Sequence, residues 1–210
     1  MFTNRGEAGN LLAEELIEYK NNKNAIIVTI PRGGLPIGYA ISKKLNLPLE
    51  IVLSKKIGHP FHKEFAIGAV TLQSIILDPV AKDVSKVYIE EETERIRDLL
   101  KQRHQWYYGD KLPLALAGKI VIVVDDGVAT GNTLISSIKL IQQQNPLQIV
   151  VGLPVSPYST LKKIETLSEI DKVICLLTPE SFYAVGQFYG EFNQVNDKEV
   201  VRLFKEANEN

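Results

Sequence analysis

Apolar positions along this chain follow two rhythms. Short unbroken runs rich in β-branched residues occur at AIIVTI (25–30), KIVIVV (119–124), LQIVVGLPV (147–155) and KVICLLTP (172–179). Such runs are of strand length and lack alternation, which predicts strands buried on both faces. Between them apolar residues recur at helical spacing. A helix is expected from about Glu7 to Tyr19 through Leu11, Leu12, Leu16 and Tyr19, and a second follows the Gly33-Gly34 turn in PRGGLPIGYAISKKL. The longest stretch runs from Val87 to Tyr108, with Ile89, Ile96, Leu99, Leu100 and Trp106 as its apolar positions. Further helices are expected at 131–144, 159–167 and 197–207. LEIVLSKKIG reads as a strand ending in Lys55-Lys56, and FAIGAV and SIIL as short antiparallel strands joined by a turn. Strands alternating with helices imply an α/β fold: a mainly parallel sheet with helices on both faces. In such sheets ligands bind beyond the carboxyl ends of the strands.

Composition narrows the picture without deciding it. At 210 residues, with no repeat or linker, the chain reads as a single domain. A formal net charge of −1 argues against a general nucleic-acid or membrane-surface binder, which should be basic. No apolar run approaches the roughly 18 residues of a membrane span. The first residues lack the basic-then-apolar order of a signal peptide. A cytoplasmic location is therefore the expectation. The one cysteine, Cys175, rules out internal disulfides and reads as a small residue of a buried strand.

The unusual chemistry lies in VIVVDDGVATGNTL (121–134). A strand ends in two adjacent carboxylates, Asp125 and Asp126. A loop of small residues follows, Gly127, Val128, Ala129, Thr130, Gly131, Asn132 and Thr133, and opens a helix. Backbone N–H groups converging there, with the helix N-terminus and two threonine hydroxyls, make a phosphate cradle without Lys or Arg. It is not a Walker A loop, nor the dinucleotide GxGxxG, nor the DxDGx[TS] pattern of aspartyl-phosphate phosphatases. The carboxylates must bind a group that is not anionic: a ribose diol, a divalent cation, or both. Each charged hydrogen bond to a diol is worth roughly 1.5–3 kcal/mol. The stretch therefore reads as a sugar 5-phosphate site, against the plainer alternative that Asp125 and Asp126 cap and turn the chain.

The same stretch resembles the signature by which type I phosphoribosyltransferases bind PRPP (5-phosphoribosyl 1-pyrophosphate). The resemblance implies a phosphoribosyltransferase-like fold with short antiparallel strands and a small hood. It implies that Asp125 and Asp126 hold the ribose hydroxyls, directly or indirectly with Mg²⁺, and that residues 127–133 hold the 5-phosphate. IPRGGLPIG resembles the family's pyrophosphate loop, which assigns Arg32, Gly33 and Gly34 to the pyrophosphate. Lys55 and Lys56 stand where family members place a basic pair. Read without the resemblance, these are a glycine turn with a surface arginine and a solvated strand end.

FTNRGEAGNLLAEEL, KKIGHPFHKEFAIGAV and TPESFYAVGQFYGEFNQVNDKEV are similar to a subgroup of predicted phosphoribosyltransferases with no settled substrate. That subgroup usually has Gly-Ala-Pro-Gly-Asn-Pro-Glu where this chain reads GHPFHKE, a departure that places His59 and His62 in a loop. The family builds its acceptor hood from a terminal appendage. Here the expectation is a core at about 20–180 and a hood at 181–210 with the N-terminal helix, carrying the aromatic cluster Phe182, Tyr183, Phe188 and Tyr189, of which Phe182 and Tyr183 are the candidates to stack on a planar acceptor. The alternative for these aromatics is a lid or dimer contact, and the long helix (Glu91 with Arg95, then Arg97, Lys101 and Arg103) reads as solvated or packing surface. Ala129 stands where 6-oxopurine members carry an Asp, which lowers hypoxanthine and guanine as acceptors and leaves the general base unassigned, with Glu64 no more than a guess. The implied function is Mg²⁺-dependent transfer of ribose 5-phosphate from PRPP to a nitrogenous acceptor, with Arg32, Asp125 and Asp126 as the catalytic residues and a homodimer as the family's common assembly. A non-catalytic PRPP- or nucleotide-binding regulator is the alternative, and a sugar-phosphate hydrolase on a related fold a third.

Overall fold

A computed structural model of the protein describes residues 1–63 and 65–209. Five strands form a parallel sheet: β1 (Ala25–Thr29), β2 (Leu49–Ile51), β6 (Ile120–Val124), β7 (Gln148–Val155) and β8 (Lys172–Leu177), in the order β2-β1-β6-β7-β8. The first helix, α1 (Arg5–Glu15), α2 (Gly34–Leu45) and α6 (Asp197–Asn208) cover one face; α4 (Asn132–Gln142) and α5 (Tyr158–Glu165) cover the other. Alternate residues of one strand serve opposite cores. Ile27, Ile122 and Val150 join Leu12, Leu35 and Phe204 on one side. Ile26, Val28, Val121 and Val123 join Leu134 and Ile138 on the other. Two buried faces explain why these strands read as unbroken apolar runs.

The order of the strands creates a switch point. From β1 the chain crosses through α2 to β2 on one side, and from β6 it crosses through α4 to β7 on the other. The loops leaving β1 and β6 therefore diverge to opposite faces and open a crevice between them. Thr29 pairs with Val124, so Pro31-Arg32 and Asp125-Asp126 emerge side by side.

LEIVLSKKIG is not one strand. β2 stops at Ile51, whose register partner is Thr29. The last ladder bond runs from the Val52 amide to the Thr29 carbonyl, 3.0 Å, and the neighbouring strand then reaches Pro31, which has no N–H to give. Lys55 and Lys56 start a new strand, β3 (Lys55–Gly58), which forms an antiparallel three-stranded sheet with β4 (Ala66–Val70) and β5 (Ile75–Leu77). That sheet packs Ile57, Ile67 and Val70 against Ile89, Ile96 and Leu100 of α3 (Lys86–Tyr108).

Other boundaries also differ from expectation. The first helix ends at Glu15, and a separate 3₁₀ turn carries the chain to Tyr19. KVICLLTP lies at the sheet edge, where residues 173–177, Cys175 included, are only half-buried and Lys172 and Thr178 are exposed. On α3 it is Tyr107 and Tyr108 that are buried, while Trp106 is 56% exposed. Arg95 pairs with Glu92 at 2.6 Å, one residue from the expected Glu91.

One buried polar group ties α3 to the sheet edge. Glu50 of β2 accepts hydrogen bonds from the Tyr108 hydroxyl and from the Ile51 and Leu114 amides, the last two at 2.8 and 2.6 Å. Burial pushes its carboxyl above the ordinary value, and these three donors offset that only in part. The folded state then keeps the Glu50 proton to higher pH than the unfolded chain. Its contribution to stability is complete below the unfolded value of 4.5 and is lost as pH rises through the folded one. Urea unfolding from pH 4 to 7 should show wild type losing stability relative to Glu50→Gln. A constant difference between the two would exclude this titration.

Candidate functional site

The acidic pair sits where the switch point places it. Its neighbour is the loop after β1, and the two approach too closely for any side chain between them. A Cβ on Gly33 would stand 2.1 Å from Asp126 Oδ2, and one on Gly34 would stand 2.9 Å from the Val124 carbonyl oxygen and 3.2 Å from Asp125 Oδ1. The glycines predicted for a pyrophosphate loop are thus required by contact with the acids. The Pro31–Arg32 peptide in this loop is cis.

The loop after β6 is braced from outside and open within. Val128 is buried and its amide donates to the Val155 carbonyl at 3.1 Å. The Thr160 hydroxyl of α5 donates to the Ala129 carbonyl at 2.6 Å. Gly131, at φ +74°, turns the chain into α4 and lies against the Thr160 methyl, which a Cβ would meet at 3.0 Å. Ala129, Thr130, Asn132 and Thr133 are exposed, and among the described residues the two threonine hydroxyls have no hydrogen-bond partner. Lys163 of α5 donates to Asn132 Oδ1 at 3.3 Å, placing beside this loop a cation that its sequence position did not signal.

Asp126 already has a protein partner. Arg5 Nε and Nη2 each lie 2.8 Å from its Oδ2, and the two side chains are only 11% and 13% exposed. Arg5 Nη1 donates to the Asn193 carbonyl at 2.8 Å, and the guanidinium lies 3.8 Å above the Phe192 ring. The Tyr189 hydroxyl donates to the Asp126 carbonyl at 2.6 Å. Burial, and then the neighbouring Asp126 charge, hold the Asp125 carboxyl well above its usual range. Burial also raises Asp126, and Arg5 works against it.

Arg32 reaches Asp197 at the start of α6, Nη1 to Oδ2 at 3.4 Å, and the Tyr107 hydroxyl donates to the other oxygen of Asp197. Lys55 lies instead with α3, where burial, then Arg95 and Arg103, depress its pKa. Arg103 and Arg32 both bear on the Tyr107 hydroxyl, while Arg95, Arg97 and Lys101 of α3 are paired with Glu92, Glu94 and Asp98. Phe182 packs on Phe188 at 5.4 Å and Tyr183 is 90% exposed. A cleft of about 500 Å³ beside Asp126 is lined instead by Arg5, Arg32, Gly33, Asp126, Phe192 and Gln194, among others. A larger hollow of about 610 Å³ lies beside β2, around Glu50 and Tyr108, and contains neither loop nor acid of the switch point. His59 and His62 stack 6.0 Å apart, and among the described residues no three His, Cys, Asp or Glu side chains gather to hold a metal. Glu64 lies outside the described residues.

Arg5, Tyr107, Phe192 and Asp197 are the residues that reading the sequence missed; Tyr189 belongs to the aromatic cluster it named, and its hydroxyl binds the Asp126 main chain. Arg5 carried a signal: it is the first residue of α1, where a cation opposes the helix dipole. Such a misfit points to a partner elsewhere in the fold.

These features define a doubly wound α/β protein with a crevice at its switch point. Residues 3–189 match the family model described as phosphoribosyl transferase domain. A Mycobacterium tuberculosis protein named "Putative phosphoribosyl transferase" is 31% identical over 219 residues, covering 99% of this chain and 47% of its own length. The chain thus spans about half the length of the curated relatives it matches. A crystal structure from Thermus thermophilus is 31% identical, with a TM-score of 0.86 and 98% of each chain covered. A purine phosphoribosyltransferase from Pyrococcus horikoshii, 19% identical at a TM-score of 0.50 with 90% and 91% coverage, shares the fold. The chain belongs to the phosphoribosyl transferase domain family. Among the described residues no helix is long and apolar enough to cross a membrane.

The contact between the two loops is itself testable. Gly33→Ala should cost about 1–3 kcal/mol in urea unfolding, because the added methyl collides with a carboxylate that Arg5 holds in place. Unchanged stability would mean that the loops separate freely.

Proposed function

We propose that this protein transfers the ribose 5-phosphate group of PRPP to a nitrogenous acceptor, releasing pyrophosphate, with Mg²⁺ as cofactor. One observation carries the reading: the acidic pair, the braced open loop at the start of α4 and the glycine loop meet at a single switch point. The phosphate takes the amides of residues 127–133 and the Thr130 and Thr133 hydroxyls. The diol takes Asp125 and Asp126. Arg32, with Gly33 and Gly34, faces the pyrophosphate, and Lys55 and Lys56 reach it if the small sheet closes.

Two carboxylates, one already paired with Arg5, do not make a metal cage. They suit a Mg²⁺ held chiefly by substrate oxygens and its own water, the usual habit of that ion. When bound, it neutralises charge on the leaving pyrophosphate. The bond from the anomeric carbon to the pyrophosphate oxygen breaks with its electron pair, and the acceptor nitrogen forms the new bond. Acids held beside the ring favour the positive charge that develops there, so the protein acts by positioning and electrostatics.

A second reading, a regulator that binds PRPP or a nucleotide without reaction, is favoured by one feature. Among the described residues lining the cleft, the titratable groups are Arg5, Arg32 and the paired Asp126, and none is a free base. Pyrophosphate release during a screen of nitrogenous acceptors separates the two.

Calorimetric titration with PRPP, with and without Mg²⁺, tests the shared premise. Saturable binding strengthened by Mg²⁺ is expected, and no binding to folded protein would end both readings. Replacing both Thr130 and Thr133 with Val should weaken binding at least tenfold while leaving the melting temperature within about 2 °C, since both side chains are exposed and neither hydroxyl has a partner among the described residues. Equal affinity in that variant would remove the 5-phosphate from this loop.

A further inference from the structure

We propose that Arg5 is a positioning residue for the diol-binding carboxylate, fixing Asp126 in the orientation that receives the sugar. The proposal rests on the PRPP reading above. Both contacts of the guanidinium with Asp126, through Nε and Nη2, fall on Oδ2, so the fork leaves Oδ1 to other partners. Gly33 packs against the same carboxylate, since a methyl there would stand 2.1 Å from Oδ2 and 3.0 Å from Oδ1. Tyr189 holds the same residue by its main chain. Asp126 is thus constrained by three separate groups, Arg5, Gly33 and Tyr189.

Arg5 is itself anchored. Its face lies on Phe192 and its Nη1 on the Asn193 carbonyl. The segment carrying these groups is laced to residues 2 and 3 by three main-chain bonds, Phe2 to Phe188, Gly190 to Phe2 and Glu191 to Thr3, each 2.8 Å. Exposed ion pairs wander among rotamers and contribute little. This one is about nine-tenths buried at the wall of the cleft, where holding a ligating group within about 0.5 Å matters most. A cation in the first turn of α1 opposes the helix dipole, so its placement answers to Asp126 and not to the helix.

The test is calorimetry of the full chain with PRPP in excess Mg²⁺, using wild type, Arg5→Gln, Arg5→Lys, Asp126→Asn and the Arg5→Gln/Asp126→Asn double variant, with melting temperatures in parallel. Arg5→Gln should weaken binding at least tenfold, and Arg5→Lys, which restores the charge without the fork, should fall between it and wild type. Because Arg5 acts through Asp126, the double variant should bind within about threefold of Asp126→Asn alone, as coupled neighbours do. Losses that multiply would show independent, merely structural roles and overturn the proposal. Affinity in Arg5→Gln equal to wild type would also overturn it. Tighter binding would make Arg5 a group that obstructs the site, and the proposal would fall equally. If Arg5→Gln does not fold, Arg5→Lys with a native melting temperature must still bind more weakly than wild type. Wild type that binds no PRPP brings down the parent reading and this one together. Wild type that binds while the Arg5 variants are unaffected brings down this one alone.

Discussion

At this switch point the Gly34 main chain lies directly against that of Val124 and Asp125, and Gly33 lies directly against the Asp126 carboxylate. Gly33 and Gly34 lie so near Asp125 and Asp126 that no β-carbon fits, and this approach is possible only because β1 and β6 are adjacent parallel strands in register to their last residues. The rest of the architecture serves that contact. The double core holds the two strands, the opposite crossovers of α2 and α4 pull the outgoing loops apart above it, and the 3.1 Å bond from Val128 to Val155 keeps the second loop from collapsing into the gap.

Placing two carboxylates in such a space is costly, because burial and mutual repulsion both disfavour their ionised forms. The structure answers with a single guanidinium drawn from far along the chain. Arg5 is 121 residues from Asp126, and its position at the head of α1 is electrostatically poor until that pairing is considered. A local rule is broken where a long-range demand is met, and such conflicts gather at sites of function.

How much of this the sequence disclosed follows from the range of each interaction. The strands, the acidic pair and the loop into α4 were legible, since each is written in one contiguous stretch with its own periodicity or turn chemistry. The break between β2 and β3 was not, because what ends β2 is Pro31 on the neighbouring strand. The aromatic facing the cleft is Phe192, where the sequence had pointed to Phe182 and Tyr183; the choice depends on how residues 188–193 lace to Phe2 and Thr3. Asp197, Tyr107 and Arg32 converge from three distant segments, and no spacing in the chain encodes their meeting.

The last turn of α3 carries two tyrosines in succession. One hydroxyl reaches Asp197, which holds Arg32; the other reaches Glu50 on the edge strand. Neighbours on a helix diverge by about 100° around its axis, so these two side chains act as the arms of a bell crank. The last turn of α3 is therefore joined at once to the edge of the large sheet and, through Asp197, to the arginine of the glycine loop.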